Sequence, residues 1–290
     1  MISIKEALPQ VFKRPLATIA AGTANFIAGT LIDIPRRDVF PIAYAKGRSF
    51  RLYEEKGKHR AFSGYGLLLR VSSTEPRDRY NFLFEPCERA AITIRCVDAD
   101  EPLTSVFDTM SETRFGWLLA HDSGKYAAVT LGDLMALYAS GILSTDLRLG
   151  EIATEMVFSL PGRTALETVV REMLERRVRR VFLQGTKSFV CDRDLMMYIF
   201  SPERLRRIRD YPSKMLEPRL AEVTPEQAFR AGAGELVSEA VPRFENSYGS
   251  PCILTTMGVV TPWDMLIKPW KAGRLEFAEE EVSRSRVDRS

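Results

Sequence analysis

The sequence is short of the residues that build most catalytic and metal centres. It has four cysteines and two histidines in 290 residues. Cys87, Cys96, Cys191 and Cys252 lie far apart with no CxxC pair, and His59 and His121 are their only imidazole companions. That spacing argues against a zinc site, so no metal is expected, and the cysteines read as reduced, buried thiols. No apolar run approaches the roughly 20 residues that cross a bilayer, and MISIKEALPQ lacks the apolar core of a signal peptide. A cytoplasmic protein with no membrane partner is expected. There is no P-loop, no GxSxG and no HExxH, so no enzyme and no catalytic cofactor are expected. Charge of one sign is also scarce. The 41 basic and 38 acidic residues leave +3. Anion binding should therefore be local, and nucleic acid is disfavoured as a partner despite the runs RRVRR and RLRRIR.

What is present is a repeat of long period. AAVTLGDLMALY (127–138), SFVCDRDLMMYI (188–199) and GVVTPWDMLIKP (258–269) share one order. Each runs apolar strand, polar residue, two residues, aspartate, apolar helix. AFSGYGLLLRV (61–71) keeps the order with Gly66 where the others have Asp133, Asp194 and Asp264. These positions are 67, 61 and 70 residues apart by subtraction, too long a period for a short solenoid. The preceding segments match as well. Leu166, Val169, Val170 and Met173 fall on one helical face, and Thr164 with Glu167 has the capping-box spacing that would start that helix. Leu103, Val106, Phe107 and Met110 form the equivalent face in the second unit, and Leu236, Val237, Ala240, Val241 and Phe244 in the fourth. ANFIAGTLI (24–32) and VFPIAY (39–44) take these places in the first unit, followed by a polar hairpin over 46–60. Each unit thus reads strand, helix, strand, strand, helix. Residues 73–82 and 201–214 read as linkers, and the charged tail beyond Gly273 reads as frayed.

With these motifs laid out, the chain resembles tandem cystathionine-beta-synthase (CBS) domain proteins. The third unit, LRLGEIATEMVFSLPGRTALETVVREMLERRVRRVFLQGTKSFVCDRDLMMYIF (147–200), carries the resemblance from end to end, and it extends over roughly residues 12 to 270. It implies an α+β fold of four tandem repeats in two pseudo-twofold CBS pairs, organised like the gamma subunit of AMP-activated protein kinase. The first pair would occupy 1–145, with a divergent repeat at 12–75 and a second at 90–145. The other would occupy 146–272, with repeats at 147–202 and, again divergent, 215–270. Residues 273–290 would be the tail. The resemblance also implies clefts for an adenosine ligand, whether AMP, ADP, ATP or S-adenosylmethionine, bound as a regulatory ligand. A protein partner is implied without its identity, and a homodimer stays open.

An adenosine phosphate needs a carboxylate for its ribose hydroxyls and cations or free N–H groups for its phosphates. The resemblance gives the ribose to the motif aspartate and a phosphate contact to the Ser or Thr three residues earlier. That selects Thr130 with Asp133 and Thr261 with Asp264. Asp194 has Cys191 in the hydroxyl place, and Gly66 removes the carboxylate from the first unit. The resemblance also gives a phosphate contact to a basic residue after the first helix: Arg114, Arg177 and, before VFPIA, Arg36. Arg177 lies 17 residues before Asp194 and Arg114 lies 19 before Asp133, whereas Ser247 holds the place in the fourth unit. The second and third units therefore rank first. The plainer reading makes each aspartate half of a capping box that only satisfies backbone donors. Two other functions stand beside nucleotide sensing: a CBS-fold scaffold with empty clefts, and a nucleic-acid-binding regulator.

Overall fold

A computed structural model of the chain describes residues 2–13, 50–55, 58–86, 89–245 and 251–278. The segments 24–32 and 39–44 expected in the first unit lie outside the described residues, as do Arg36, Cys87, Ser247 and the tail from 279.

Three units repeat the same topology. In the second, strand Cys96–Asp98 leads through helix Thr104–Thr113 to strands Trp117–Asp122 and Lys125–Thr130, then helix Leu131–Ala139. The first strand is parallel to the second, and the second antiparallel to the third. The third unit does the same with Ser159–Leu160, Arg180–Leu183 and Ser188–Cys191 around helices Leu166–Glu175 and Asp192–Ile199. A short strand, Glu226–Gln227, extends its sheet. In the fourth, strands Phe229–Arg230, Ile253–Thr255 and Gly258–Val260 repeat the pairing before helix Pro262–Lys271. The parallel step needs a crossover, which the intervening helix supplies. Helix Leu166–Glu175 turns Leu166, Val169, Val170 and Met173 inward, as its periodicity predicts. In the first unit, the residues expected to form an extra polar hairpin are the unit's own strand pair, Phe50–Glu55 with Lys58–Ser63. Helix Gly64–Ser72 follows.

The units exchange their lead-in segments. Arg148, entering the third unit, bridges Leu236 at the helix start of the fourth. Arg219, entering the fourth, bridges Ala165 at the helix start of the third. The N-terminal Ser3 does the same to Pro102 in the second unit. Each lead-in is a short turn closed by a glutamate three residues on. The N–H groups of Ser3, Arg148 and Arg219 donate to Glu6, Glu151 and Glu222 at 3.0, 2.7 and 2.8 Å. The spacing satisfies a helix-start donor with a charged acceptor. Reciprocal exchange of this kind is the signature of a pseudo-twofold pair. The sheets of the third and fourth units also share an apolar layer of Phe182, Phe189, Cys191 and Cys252 with Val157, Leu254 and Val259.

Helices join the pairs. One core runs from the N-terminal helices through the second unit into the fourth, with Ile4, Phe107, Leu134, Leu149, Val237 and Leu266 buried together. Another joins helix Gly64–Ser72 to the third unit through Leu67, Val71, Val170, Leu195 and Met196. The expected linkers are helical. Arg79–Phe84 and Pro202–Asp210 pack Phe82, Leu83 and Ile208 into that second core.

Two local expectations change. Thr164 and Glu167 form no capping box; Ala165 is the N-cap, with no side-chain bond. Glu167 instead binds the buried guanidinium of Arg79 at 2.6 Å. A buried cation without a counter-charge is far costlier than an uncapped helix N–H. The tail is also ordered at its start. Glu276–Phe277 pairs with Leu143–Ser144, and Arg274 binds Asp146 and Glu151. Leu275 is buried and Phe277 packs on Phe107 and Trp270, so apolar contact holds what its charge suggested was loose. Among the described residues no helix is long and apolar enough to cross a membrane.

Candidate functional site

Each motif aspartate sits at the third position of a helix whose N-cap ends a strand or directly follows one. Thr130 caps Leu131–Ala139 with φ −120° and ψ 165°, and Thr261 caps Pro262–Lys271 with φ −121° and ψ 167°. The near identity of the two caps is the repeat seen at the level of dihedral angles. Asp133 Oδ2 accepts from the Thr130 N–H at 2.9 Å and its hydroxyl at 2.6 Å. Asp264 Oδ2 accepts the same pair from Thr261 at 2.9 and 2.7 Å. In the third unit the N-cap is Cys191, whose N–H donates to Asp194 Oδ2 at 2.8 Å. The capping reading therefore holds for all three aspartates, each through one oxygen.

The second oxygens differ. Arg193 donates to Asp194 Oδ1 at 3.3 Å and also binds Glu226, so the 8% exposed Asp194 lies in a small ion cluster. Cys191, Asp194 and Glu226 bring ligand-capable atoms within 4.8 Å of one another. The Arg193 guanidinium already supplies the cation there. Burial and the Asp194 carboxylate push the Cys191 thiol well above its usual pKa. Asp264 Oδ1 accepts from Thr154 Oγ1 at 3.0 Å and pairs with Lys268 Nζ at 2.9 Å. Sequence reasoning missed Arg193, Thr154 and Lys268. The i,i+4 spacing of Asp264 and Lys268 was the available signal.

In the first unit Gly66 holds the aspartate's place for a steric reason. A Cβ there would lie 2.3 Å from the carbonyl oxygen of Ala90. The backbone entering the second unit fills the space, and no carboxylate fits.

Arg114 and Arg177 occupy one structural position. Arg114 stands three residues before Trp117, which faces Thr130 across the strand pair. Arg177 stands three before Arg180, which faces Cys191. The facing residues are 13 apart in one hairpin and 11 in the other, by subtraction. That two-residue difference in hairpin length is the whole difference between spacings of 19 and 17. Both arginines have left-handed backbones, φ 58° and 55°, where a helix ends and a strand begins. Both are exposed, with no side-chain hydrogen bond or ion pair among the described residues. Arg114 and Arg177 thus hold equivalent positions in their units, each three residues before the strand residue that faces the N-cap of the motif helix, Thr130 in one and Cys191 in the other. Thr261 and Asp264 make the corresponding corner of the fourth unit, whose basic position falls outside the described residues. Trp117 is buried and Trp263 packs on the core.

No family model matches the sequence, and no curated protein does. Solved structures do. Protein MJ1225 from Methanocaldococcus jannaschii, described as a proposed archaeal homologue of g-AMPK, aligns over 88% of this chain and 98% of its own. The TM-score is 0.71 at 13% identity. An uncharacterised conserved protein from Pyrococcus horikoshii aligns over 76% of this chain and 90% of its own, with TM-score 0.46 and 16% identity. CBSX2, a CBS-pair protein of Arabidopsis thaliana solved with AMP, aligns over 44% of this chain and 99% of its own, with TM-score 0.33 and 15% identity. The chain has an α+β fold of tandem CBS-type repeats in paired modules. Its fold is similar to that of MJ1225 over 88% of this chain and 98% of that one.

Proposed function

We propose that the chain is a non-catalytic regulatory protein whose second and third units bind an adenosine phosphate, with units one and two as one pair over 1–145 and units three and four as the other over 146–272. The observation that carries this is the pair of left-handed arginines. A non-glycine residue in the left-handed region costs roughly 1–2 kcal/mol. Glycine or asparagine is the usual solution at such a helix end. Here the strain recurs at the same register in two units, and in both the strained residue is an exposed arginine. Packing does not account for the choice, because neither side chain is engaged among the described residues. A phosphate does, because it takes a charge-assisted, bidentate contact from a guanidinium.

The rest of each corner fits the remaining parts of such a ligand. Helix N-termini at Leu131 and Asp192 offer N–H groups to an anion. Asp133 and Asp194 offer carboxylates for ribose hydroxyls. That a chain of the same fold is described as a proposed homologue of g-AMPK supports a regulatory role rather than turnover. The choice among AMP, ADP and ATP is made by the test, in which S-adenosylmethionine, an adenosine ligand without phosphate, probes the phosphate contact itself.

The test is calorimetry with those four ligands on the full chain, Arg114→Ala and Arg177→Ala. Binding should weaken in each variant, more for ATP than for AMP, and the loss should shrink as salt rises. Binding of every ligand unchanged in both folded variants would overturn the site assignment, and no binding of any ligand to the unmodified chain would leave a scaffold with empty clefts. Salt-dependent retention on DNA would instead favour a nucleic-acid-binding regulator.

A further inference from the structure

The corner of the fourth unit is built differently from the other two. Asp264 is 4% exposed, and its carboxylate receives four donors. Oδ2 takes the Thr261 N–H and hydroxyl, and Oδ1 takes the Thr154 hydroxyl and the Lys268 ammonium. A carboxylate has about four lone-pair sites, so its accepting capacity is used. The ammonium is equally satisfied. Its three protons have three acceptors: Asp264 Oδ1 at 2.9 Å, the Ile152 carbonyl at 2.6 Å and Thr154 Oγ1 at 3.1 Å.

Rigid backbone pins the network. Thr154 exchanges both backbone hydrogen bonds with Val259, at 2.8 and 3.0 Å. Gly258 lets the two segments approach that closely. Its φ is 138°, and a Cβ on it would lie 2.1 Å from the Thr154 carbonyl oxygen. Asp194 is less occupied, with one N–H on Oδ2 and a longer contact from Arg193 on Oδ1.

We infer that the fourth unit's cleft is occupied by the chain itself, Lys268 and Thr154 standing on Asp264 where a ligand's vicinal hydroxyls would otherwise bind. The inference rests on the nucleotide reading for what the cleft would hold. The occupancy itself does not depend on that reading. A diol reaching Asp264 would have to displace the Thr154 hydroxyl from its acceptor and break one of the three contacts of the Lys268 ammonium, so the fourth corner is a staple between units three and four.

The experiment has two arms on the full-length chain. In the first, calorimetry with AMP and ATP counts bound nucleotides for the unmodified chain, Asp264→Asn and Lys268→Met. Asp264→Asn should leave the count unchanged, and Lys268→Met should raise it by one. In the second, side-chain nitrogen NMR of the unmodified chain should show a slowly exchanging Lys268 ammonium, assigned by its loss in Lys268→Met. The inference is overturned if Asp264→Asn lowers the count, or if a folded Lys268→Met gains nothing. It is also overturned if the Lys268 protons exchange as fast as those of an exposed lysine. If no nucleotide binds any form, the nucleotide reading fails, and the ammonium signal alone decides whether Lys268 holds Asp264.

Discussion

Replacing Arg177 by glycine should separate folding from binding. The residue sits at φ 55°, so glycine removes a strain of roughly 1–2 kcal/mol. Against this, glycine widens the unfolded ensemble by roughly 0.4–1 kcal/mol. The exposed side chain has no partner among the described residues, so its removal forfeits little in the folded state. The sum runs from about zero to about 1.5 kcal/mol in favour of the variant. For a chain of this size that is at most a few degrees in Tm. Nucleotide affinity should fall by about 10–100-fold, the loss of one charge-assisted contact of roughly 1.5–3 kcal/mol. The neighbouring residue is the control. Arg176 has φ −80°, binds Glu172 at 3.0 Å and lies 4.9 Å over the Phe158 ring. Arg176→Gly should therefore lose stability and keep affinity. Denaturant unfolding and calorimetry on both variants measure the two quantities. A loss of more than about 1 kcal/mol in Arg177→Gly would show that the side chain serves the fold, and the argument from strain to function would fail.

Other perturbations probe the scaffold. Gly258→Ala should cost about 3 kcal/mol in denaturant unfolding, since both its φ and the nearby Thr154 carbonyl reject a Cβ; a cost under 1 kcal/mol would mean that the pairing of Thr154 with Val259 yields easily. Glu167→Ala should cost about 2–3 kcal/mol, below the usual range for a broken buried pair because Glu167 is 49% exposed while Arg79 is 1% exposed. Arg79→Met should cost less than Glu167→Ala, because it leaves no charge buried, and the reverse order would refute this account of the pair. Burial pushes Cys252 up to about 12 and raises Cys191 as well. The unfolded chain releases these protons near pH 8.5 and the folded chain does not. Stability contributed by the neutral thiols is therefore full below that pH and falls as pH rises towards the folded values. Cys191→Ala with Cys252→Ala should flatten the alkaline limb of a stability–pH curve, and an unchanged limb would exclude the thiols as its cause.

Much of this fold is legible in the sequence because its signals are local. The strand–cap–xx–Asp–helix order survives in three units because one backbone turn needs it, and the structure returns nearly the same cap angles at Thr130 and Thr261. Helix Leu166–Glu175 follows its apolar period. What escaped depends on partners far along the chain. The glutamates of the lead-ins IKEA, LGEI and LAEV close the same turn three times, but IKEA, LGEI and LAEV share only an apolar start and the glutamate, which is too little to stand out. Glu167 has the spacing of a capping box and is taken instead by Arg79, 88 residues away. Leu275 and Phe277 sit in a charged tail and are held by the second unit's strand.

The candidate site shows the same division more sharply. A carboxylate that caps its own helix and a carboxylate that receives a ribose have the same sequence, because one oxygen can do the first task and leave the other for the second. Asp133, Asp194 and Asp264 all cap through Oδ2. What distinguishes them is what reaches Oδ1, and for Asp264 that depends on Thr154, 110 residues earlier. The identity of the motif therefore marks where a helix-capping carboxylate stands, while what reaches its second oxygen is set by tertiary contacts. The arginines carry the opposite kind of information. Nothing local favours arginine at a left-handed position, so a conflict between residue and backbone repeated at one register in two units argues for a ligand more strongly than agreement between them could.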